Sequence, residues 1–281
     1  MSRKRYGKRL NGIFMICICL LFGVLTGYAA FNTNVNLKAK GNVKTISAGK
    51  LGYVTNGLLV MYDYETGIDD GKWLDISGNG KDGILKNFDS IDTSNGLQFD
   101  GVDDYVLMGE YNYNNITMQI VFKYDEVKYK DSYNYIFNNF EGGGYGFYSY
   151  DEMKKNTFEV CINGNYLMHN TNNSYKNGNG DLMDTIDISK KYFLSGSYDS
   201  KMVVFYENNK RYFIEKVGTT CFPSENTYLI IGGNPEGSIL DEWAGKFKGK
   251  VYSVRFYDRA LSDDEVIQNF NIDKMRFDLE D

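Results

Sequence analysis

Three carboxylates, Asp100, Asp103 and Asp104, fall within five residues, with Gly101 between them to let the backbone bend. A hard divalent cation such as Ca2+ wants six to eight oxygens, several of them carboxylate, on a loop free to curl around it. These three are the metal candidates. Asp75, Asn79 and Asp82 form a second oxygen-rich stretch, and Asp69 with Asp70 a third. None has the spacing of an EF-hand loop. The competing reading is turn capping, because Asp and Asn side chains accept hydrogen bonds from nearby backbone amides in such loops. Residues 133–150, YNYIFNNFEGGGYGFYSY, mix aromatic rings with amides and a glycine-rich turn. Tyr145 and Tyr148 flank that turn and are the ligand-binding candidates. In the duller account Phe137, Phe140 and Phe147 are core and the tyrosines cover sheet edges. A serine triad would have to recruit His169, the single histidine, and no G-x-S-x-G elbow is present. His169 with Cys161 and Cys221 does not make up a metal centre. No catalytic residue is assigned, and the expectation is that the chain is not an enzyme.

The elements that must carry these residues read as strands. Ile116, Met118, Ile120 and Phe122 alternate with Thr117, Gln119, Val121 and Lys123. Phe158, Val160 and Ile162 alternate with Glu159, Cys161 and Asn163, and Tyr252, Val254 and Phe256 with Val251, Ser253 and Arg255. Period-2 alternation packs one face of a strand on a core and turns the other to solvent or a groove. Runs at 58–62, 202–206, 212–215 and 228–231 are apolar on both faces and suit central strands. Asn163-Gly164 and Asn208-Asn209 stand where hairpin turns need positive φ. One helix is expected near the end: Ser262 caps it, Glu265 completes a capping box, and Val266, Ile267 and Phe270 form its apolar stripe.

Composition fits this pattern. The 281 residues hold 24 Tyr, 18 Phe and 30 Gly but only 2 Pro, and 42% are apolar, which suits a folded β-rich domain and excludes wholesale disorder. Residues 1–30 carry five bases and no acid, so the body holds all 37 acids and is more negative than the net −6 of the whole chain. An acidic body disfavours nucleic acid, whose affinity comes mainly from phosphate neutralisation. Behind the five bases, residues 12–30 run without a charge. That is the grammar of a signal peptide, and also just long enough to span a bilayer as a transmembrane helix. Either way the body is exported. The expected organisation is a leader or membrane anchor at 1–30, a linker at 31–55, one domain at 56–273 and a tail at 274–281. Cys161 and Cys221, both in the exported body, would be able to pair if the fold brings them together.

Three segments resemble a known family: residues 57–87 (GLLVMYDYETGIDDGKWLDISGNGKDGILKN), 97–109 (LQFDGVDDYVLMG) and 249–270 (GKVYSVRFYDRALSDDEVIQNF). In order and spacing they resemble the bacterial laminin-G-like jelly-roll domains of the concanavalin A-like lectin/glucanase superfamily, over residues 56–273. The strand, helix and leader readings agree with it, and the expected fold is an all-β, two-sheet antiparallel jelly-roll sandwich with one short C-terminal helix, preceded by the N-terminal leader. The resemblance implies extracellular recognition of glycans or proteins, often with bound Ca2+. The glucanases of that superfamily carry E-x-D-x-(x)-E on one strand; the nearest string here, residues 181–189 (DLMDTIDIS), has no Glu. The leading expectation is an exported, surface-tethered recognition module for a glycan or surface protein, with Ca2+ assistance. The alternatives are a structural surface or filament subunit and a divergent glycoside hydrolase.

Overall fold

The computed structural model describes residues 46–128, 133–140, 143–150, 155–162, 165–166, 185–215 and 228–281. The leader, most of the expected linker, His169 and Cys221 lie outside the described residues, and so does the question of a Cys161–Cys221 disulfide. Two antiparallel sheets make up the body. One runs β1 (Leu58–Asp63), β18 (Lys248–Tyr257), β7 (Ile116–Glu126), β12 (Lys191–Tyr198), β13 (Met202–Glu207), β14 (Lys210–Glu215), with β5 (Leu97–Asp100) paired to the start of β18. The other has nine strands: β11 (Asn165–Tyr166), β10 (Lys155–Ile162), β9 (Gly144–Tyr150), β8 (Tyr133–Asn138), β15 (Tyr228–Ile231), β6 (Tyr105–Glu110), β4 (Gly83–Lys86), β3 (Lys72–Trp73) and β2 (Ile68–Asp69). A small hairpin, β16 (Pro235–Glu236) with β17 (Ile239–Leu240), stands apart, and α1 (Asp263–Phe277) closes the chain.

The main core lies between the sheets. All four apolar alternates of β7, Ile116 to Phe122, enter it, and so do Phe147, Phe158, Phe205, Val254 and Phe256. Burying each such side chain stabilises by roughly 1.5–3 kcal/mol. Strand β18 departs from simple alternation. Its register against β7 shifts between Val251 and Ser253, so Val251 faces the core while both Tyr252 and Ser253 turn away from it. A bulge of this kind moves later side chains by one position, which is why Tyr252 leaves the face that Val254 and Phe256 keep.

The back of the seven-stranded sheet is not solvated. Helix α1 begins at the expected capping box, with Ser262 and Glu265 bonded reciprocally. It lays Val266, Phe270 and Phe277 against Val121, Phe193 and Tyr257. Residues 46–55, expected as linker, join this layer through Ala48, Tyr53 and Val54. The tail is likewise structural: α1 runs to Phe277 and Leu279 is buried. Sparse apolar residues in polar stretches are easily read as linker, yet here they are the anchors.

Polar residues hold the same layer together. Arg255 and Asp273, both fully buried, form an ion pair. The Arg255 Nε donates to Gln119 Oε1 at 2.9 Å, and Asn269 Nδ2 donates to the same oxygen at 2.8 Å. Tyr53 Oη donates to Asp273 Oδ1 at 2.6 Å, and the Val54 amide to Asn269 Oδ1 at 3.0 Å. A buried pair stripped of one partner leaves a charge with no counter-ion, which costs about 3–5 kcal/mol. Asp273→Ala is therefore expected to lower unfolding stability in urea by about that much, and Arg255→Met with Asp273→Leu together to lose less than either single change. At the helix start, Arg259 holds the Glu265 carboxyl down to about 2, against an ordinary 4.5. Its folded pKa lies below its unfolded one, so the stabilisation is present above about pH 4.5 and lost as the pH falls towards 2. The stability advantage of wild type over Glu265→Gln is expected to vanish across that window in denaturant titrations.

Candidate functional site

The three candidate metal ligands do meet. One oxygen from each of Asp100, Asp103 and Asp104 lies within 4.8 Å of the others, at the junction from β5 to β6. Gly101 turns this corner with φ +77, and a Cβ there would come within 2.7 Å of Lys248. Much of the oxygen capacity is already used. Asp100 Oδ1 accepts from the Val102 amide at 2.7 Å, and Asp104 Oδ2 from the Asp100 amide at 2.9 Å. Burial is the main cause that lifts the Asp104 carboxyl to about 6; the Asp100 amide opposes it, and the neighbouring carboxylates add to it. Three carboxylates supply part of a calcium shell and leave the rest to carbonyls or water.

The second oxygen-rich loop is a capping device. Asp75 accepts from the amides of Met61 and Ser77 on one oxygen and from the Ser77 hydroxyl and the Lys81 amide on the other. Asp82 accepts from the Asp75 amide, and Asn79 Nδ2 donates to the carbonyls of Leu58 and Leu59. These bonds tie the loop between β3 and β4 to β1 and leave Asp75 no free lone pair to spare for an ion.

The aromatic candidates are corrected by burial. Tyr145 is fully enclosed and points into the core beside Phe256; Tyr148 is 1% exposed. Neither offers a ring face to a ligand. The alternation of β9 explains Tyr145, which shares the core side with Phe147. Tyr148 points to the outer side of the nine-stranded sheet but lies under Tyr133, Tyr135 and Phe140, whose rings crowd around it at 5.4–6.2 Å. On that outer side Tyr133 and Tyr135 are partly buried rings, stacked at 5.5 Å and 20°.

Sequence reasoning missed the most exposed ring among the described residues. Trp243 is 93% exposed, whereas Trp73, the only other tryptophan, is fully buried with its Nε1 bonded to the Asp63 carbonyl. Two fixed points bracket the Trp243 loop. On one side Leu240 packs with Tyr105 and Ile230 on the outer face of the nine-stranded sheet. On the other, Lys246 bridges Tyr135, and Gly245 lies so close to the Tyr133 carbonyl that a Cβ would overlap it at 1.6 Å. The loop thus crosses the outer face towards the edge of β8 that the short β15 leaves open. Asp241 and Glu242 precede the ring in the chain, and Ile239 is exposed nearby in sequence. The signal in the sequence was a tryptophan among polar and small residues, D-E-W-A-G-K, with no apolar period to bury it.

Two face-to-face antiparallel sheets, one of them backed by a terminal helix, define a laminin-G-like jelly-roll domain. A family model described as the concanavalin A-like lectin/glucanases superfamily matches residues 100–267, and the chain belongs to that superfamily. No curated protein matches the chain in sequence. Among solved structures it is similar to the Trypanosoma rangeli sialidase in complex with sialic acid, at 15% identity and a TM-score of 0.53, over 80% of this chain and 34% of that one. It thus spans about a third of the sialidase. It is also similar to domain 4 of an extracellular GH43 arabinanase from Geobacillus stearothermophilus in complex with arabinotriose, at 14% identity and TM-score 0.53, covering 76% of this chain and 97% of that domain. The binding domain of Paraclostridial Mosquitocidal Protein 1 matches at 13% identity and TM-score 0.53, over 77% and 52%. At these identities the likeness is one of fold. The expectation that the chain is not an enzyme is corrected here: the sialidase and the arabinanase whose structures it resembles in fold are enzymes.

Proposed function

We propose that the domain is a glycan-binding module that takes an uncharged sugar chain on the outer face of its nine-stranded sheet, with Trp243 as the principal platform. The observation that carries this reading is the ring of Trp243, standing 93% in solvent on a loop held at both ends. An exposed tryptophan gains nothing for folding, and large rings that are wet when free are typical anchors of binding surfaces. Sugars present an axial C–H face that lies on an aromatic ring, and hydroxyls that donate to carboxylates. Asp241 and Glu242 supply such acceptors, and the partly buried Tyr133–Tyr135 stack offers a second ring surface on the same sheet face. The same carboxylates, on an acidic body, disfavour an anionic sugar. That the arabinanase domain was solved with arabinotriose supports the class of ligand. Export remains part of the proposal on the strength of the uncharged run at 12–30 behind five bases.

Trp243→Ala is expected to change stability by no more than about 0.5 kcal/mol, as for a surface site. It should weaken binding of arabinotriose or cellotriose by roughly 30-fold or more in titration calorimetry, the scale of a binding hot spot. Sialyllactose is expected to bind more weakly than the neutral sugars. Wild-type affinity in Trp243→Ala removes this reading.

We also propose Ca2+ at Asp100, Asp103 and Asp104, supported by the convergence of three carboxylates whose mutual repulsion a cation would relieve. Ca2+ added to chelator-treated protein should raise the Tm of wild type and not of Asp103→Asn. Equal melting with EDTA and with excess Ca2+ takes calcium out of the account.

A further inference from the structure

The loop that carries Trp243 closes around its own lysine. Lys246 is 9% exposed, and its Nζ donates to three backbone carbonyls: Asp241 at 2.5 Å, Glu242 at 3.1 Å and Ala244 at 2.6 Å. A lysine ammonium has three protons to donate, so the ring of carbonyls satisfies it completely, much as such a ring would hold a small cation. No carboxylate lies within ion-pair distance of that ammonium among the described residues. Burial accordingly lowers the pKa of Lys246, with Asp241 and Glu242 acting against the shift.

Other bonds tighten the same loop, residues 241–246. Asp241 Oδ1 accepts from the Trp243 amide at 2.8 Å, and the Asp241 amide donates to the Asn234 carbonyl at 2.9 Å. Lys246 pairs with Tyr135 along β8, and Gly245 abuts the Tyr133 carbonyl, where only glycine fits. These backbone constraints therefore fall on a segment whose largest side chain is 93% exposed. These contacts seat the segment on the sheet, yet they leave its tryptophan in solvent. Such rigidity suits binding: a ring whose backbone is fixed before the ligand arrives loses less conformational freedom on binding.

We propose that Lys246 is the positioning residue of the ligand site, its ammonium serving as an internal cation that fixes the 241–245 backbone and so pre-orients Trp243. This rests on the reading of Trp243 as the platform, but it makes a claim about the free protein that needs no ligand.

The test uses the full chain and the fact that it has two tryptophans, one buried and one exposed. Red-edge excitation and iodide quenching isolate the solvent-exposed Trp243 emission, and Trp243→Phe verifies the assignment. In wild type, time-resolved anisotropy of that emission should decay with the tumbling of the whole domain; a fast, large-amplitude local decay overturns the proposal outright. In Lys246→Met, which keeps the length of the stem and removes the ammonium, the fast component should appear. The affinity for arabinotriose or cellotriose should drop about tenfold. A purely structural role predicts a lower Tm with Trp243 anisotropy and the affinity of the folded protein unchanged, and that result also overturns the proposal. If Lys246→Met does not fold, the wild-type anisotropy decides alone. If wild type binds neither sugar, the glycan reading fails, while the ordering of Trp243 by Lys246 is still judged by the anisotropy of the free proteins.

Discussion

The fully buried ion pair between Arg255 on the central strand β18 and Asp273 on α1 is the constraint on which the back half of the molecule depends. A sandwich needs only the core between its sheets, and paired strands whose outward face carries Gln119 on β7 with Ser253 and Arg255 on β18 would ordinarily present that face to water. Here the helix and residues 46–55 cover it. A guanidinium deprived of water must find its hydrogen bonds in protein. Gln119, Ser253 and Asp273 supply them, and Asn269 and Tyr53 in turn satisfy Gln119 and Asp273. Such a network adds little net stability over a hydrophobic layer but penalises any other seating of the helix, since a shift of one turn would strand a charge.

The same logic shows how far the sequence could be read. Strand existence was legible wherever one face had to be uniformly apolar: β7 carries its four alternates into the core as the period demands. The helix start was legible because a capping box is a local device, complete within four residues. The back face was not. A sheet face with Thr117 and Gln119 on β7 and Arg255 on β18 looks solvated, and nothing local says that a helix 14 residues or more away in sequence will bring Asn269 and Asp273 to meet them. Residues 46–55 hid for the same reason, since their partners lie more than 200 positions away.

At the site the limits were of a different kind. Asp100, Asp103 and Asp104 were found because residues close in sequence on a tight turn are close in space. The equally suggestive Asp75, Asn79 and Asp82 proved to be capping groups, and composition alone has no means of telling the two apart, because both uses need oxygen atoms on a loop. Tyr145 and Tyr148 failed through packing: a glycine-rich turn suggested exposure, but the strand that follows it is central, with β8 and β10 on either side. Trp243 escaped notice because its meaning comes from what is missing around it, and a lack of neighbours is a tertiary property.

The two faces of the sandwich now divide the work. The seven-stranded sheet gives much of its outer surface to the helix and its buried charges, and the proposed ligand surface lies on the nine-stranded side. On that side the hairpin β16–β17 covers β6 and β15 through Leu240, and Tyr148 is sealed beneath its neighbours. The ground between them is where the Trp243 loop crosses towards Tyr133 and Tyr135. A loop free to choose its conformation would bury so large a ring, because each aromatic contact is favourable. Trp243 stays out, while three carbonyls turn inwards to a lysine that could as easily have reached solvent. The loop therefore holds an arrangement that local contacts alone would not select, and the proposed recognition surface is a use that accounts for an exposed ring on a constrained backbone.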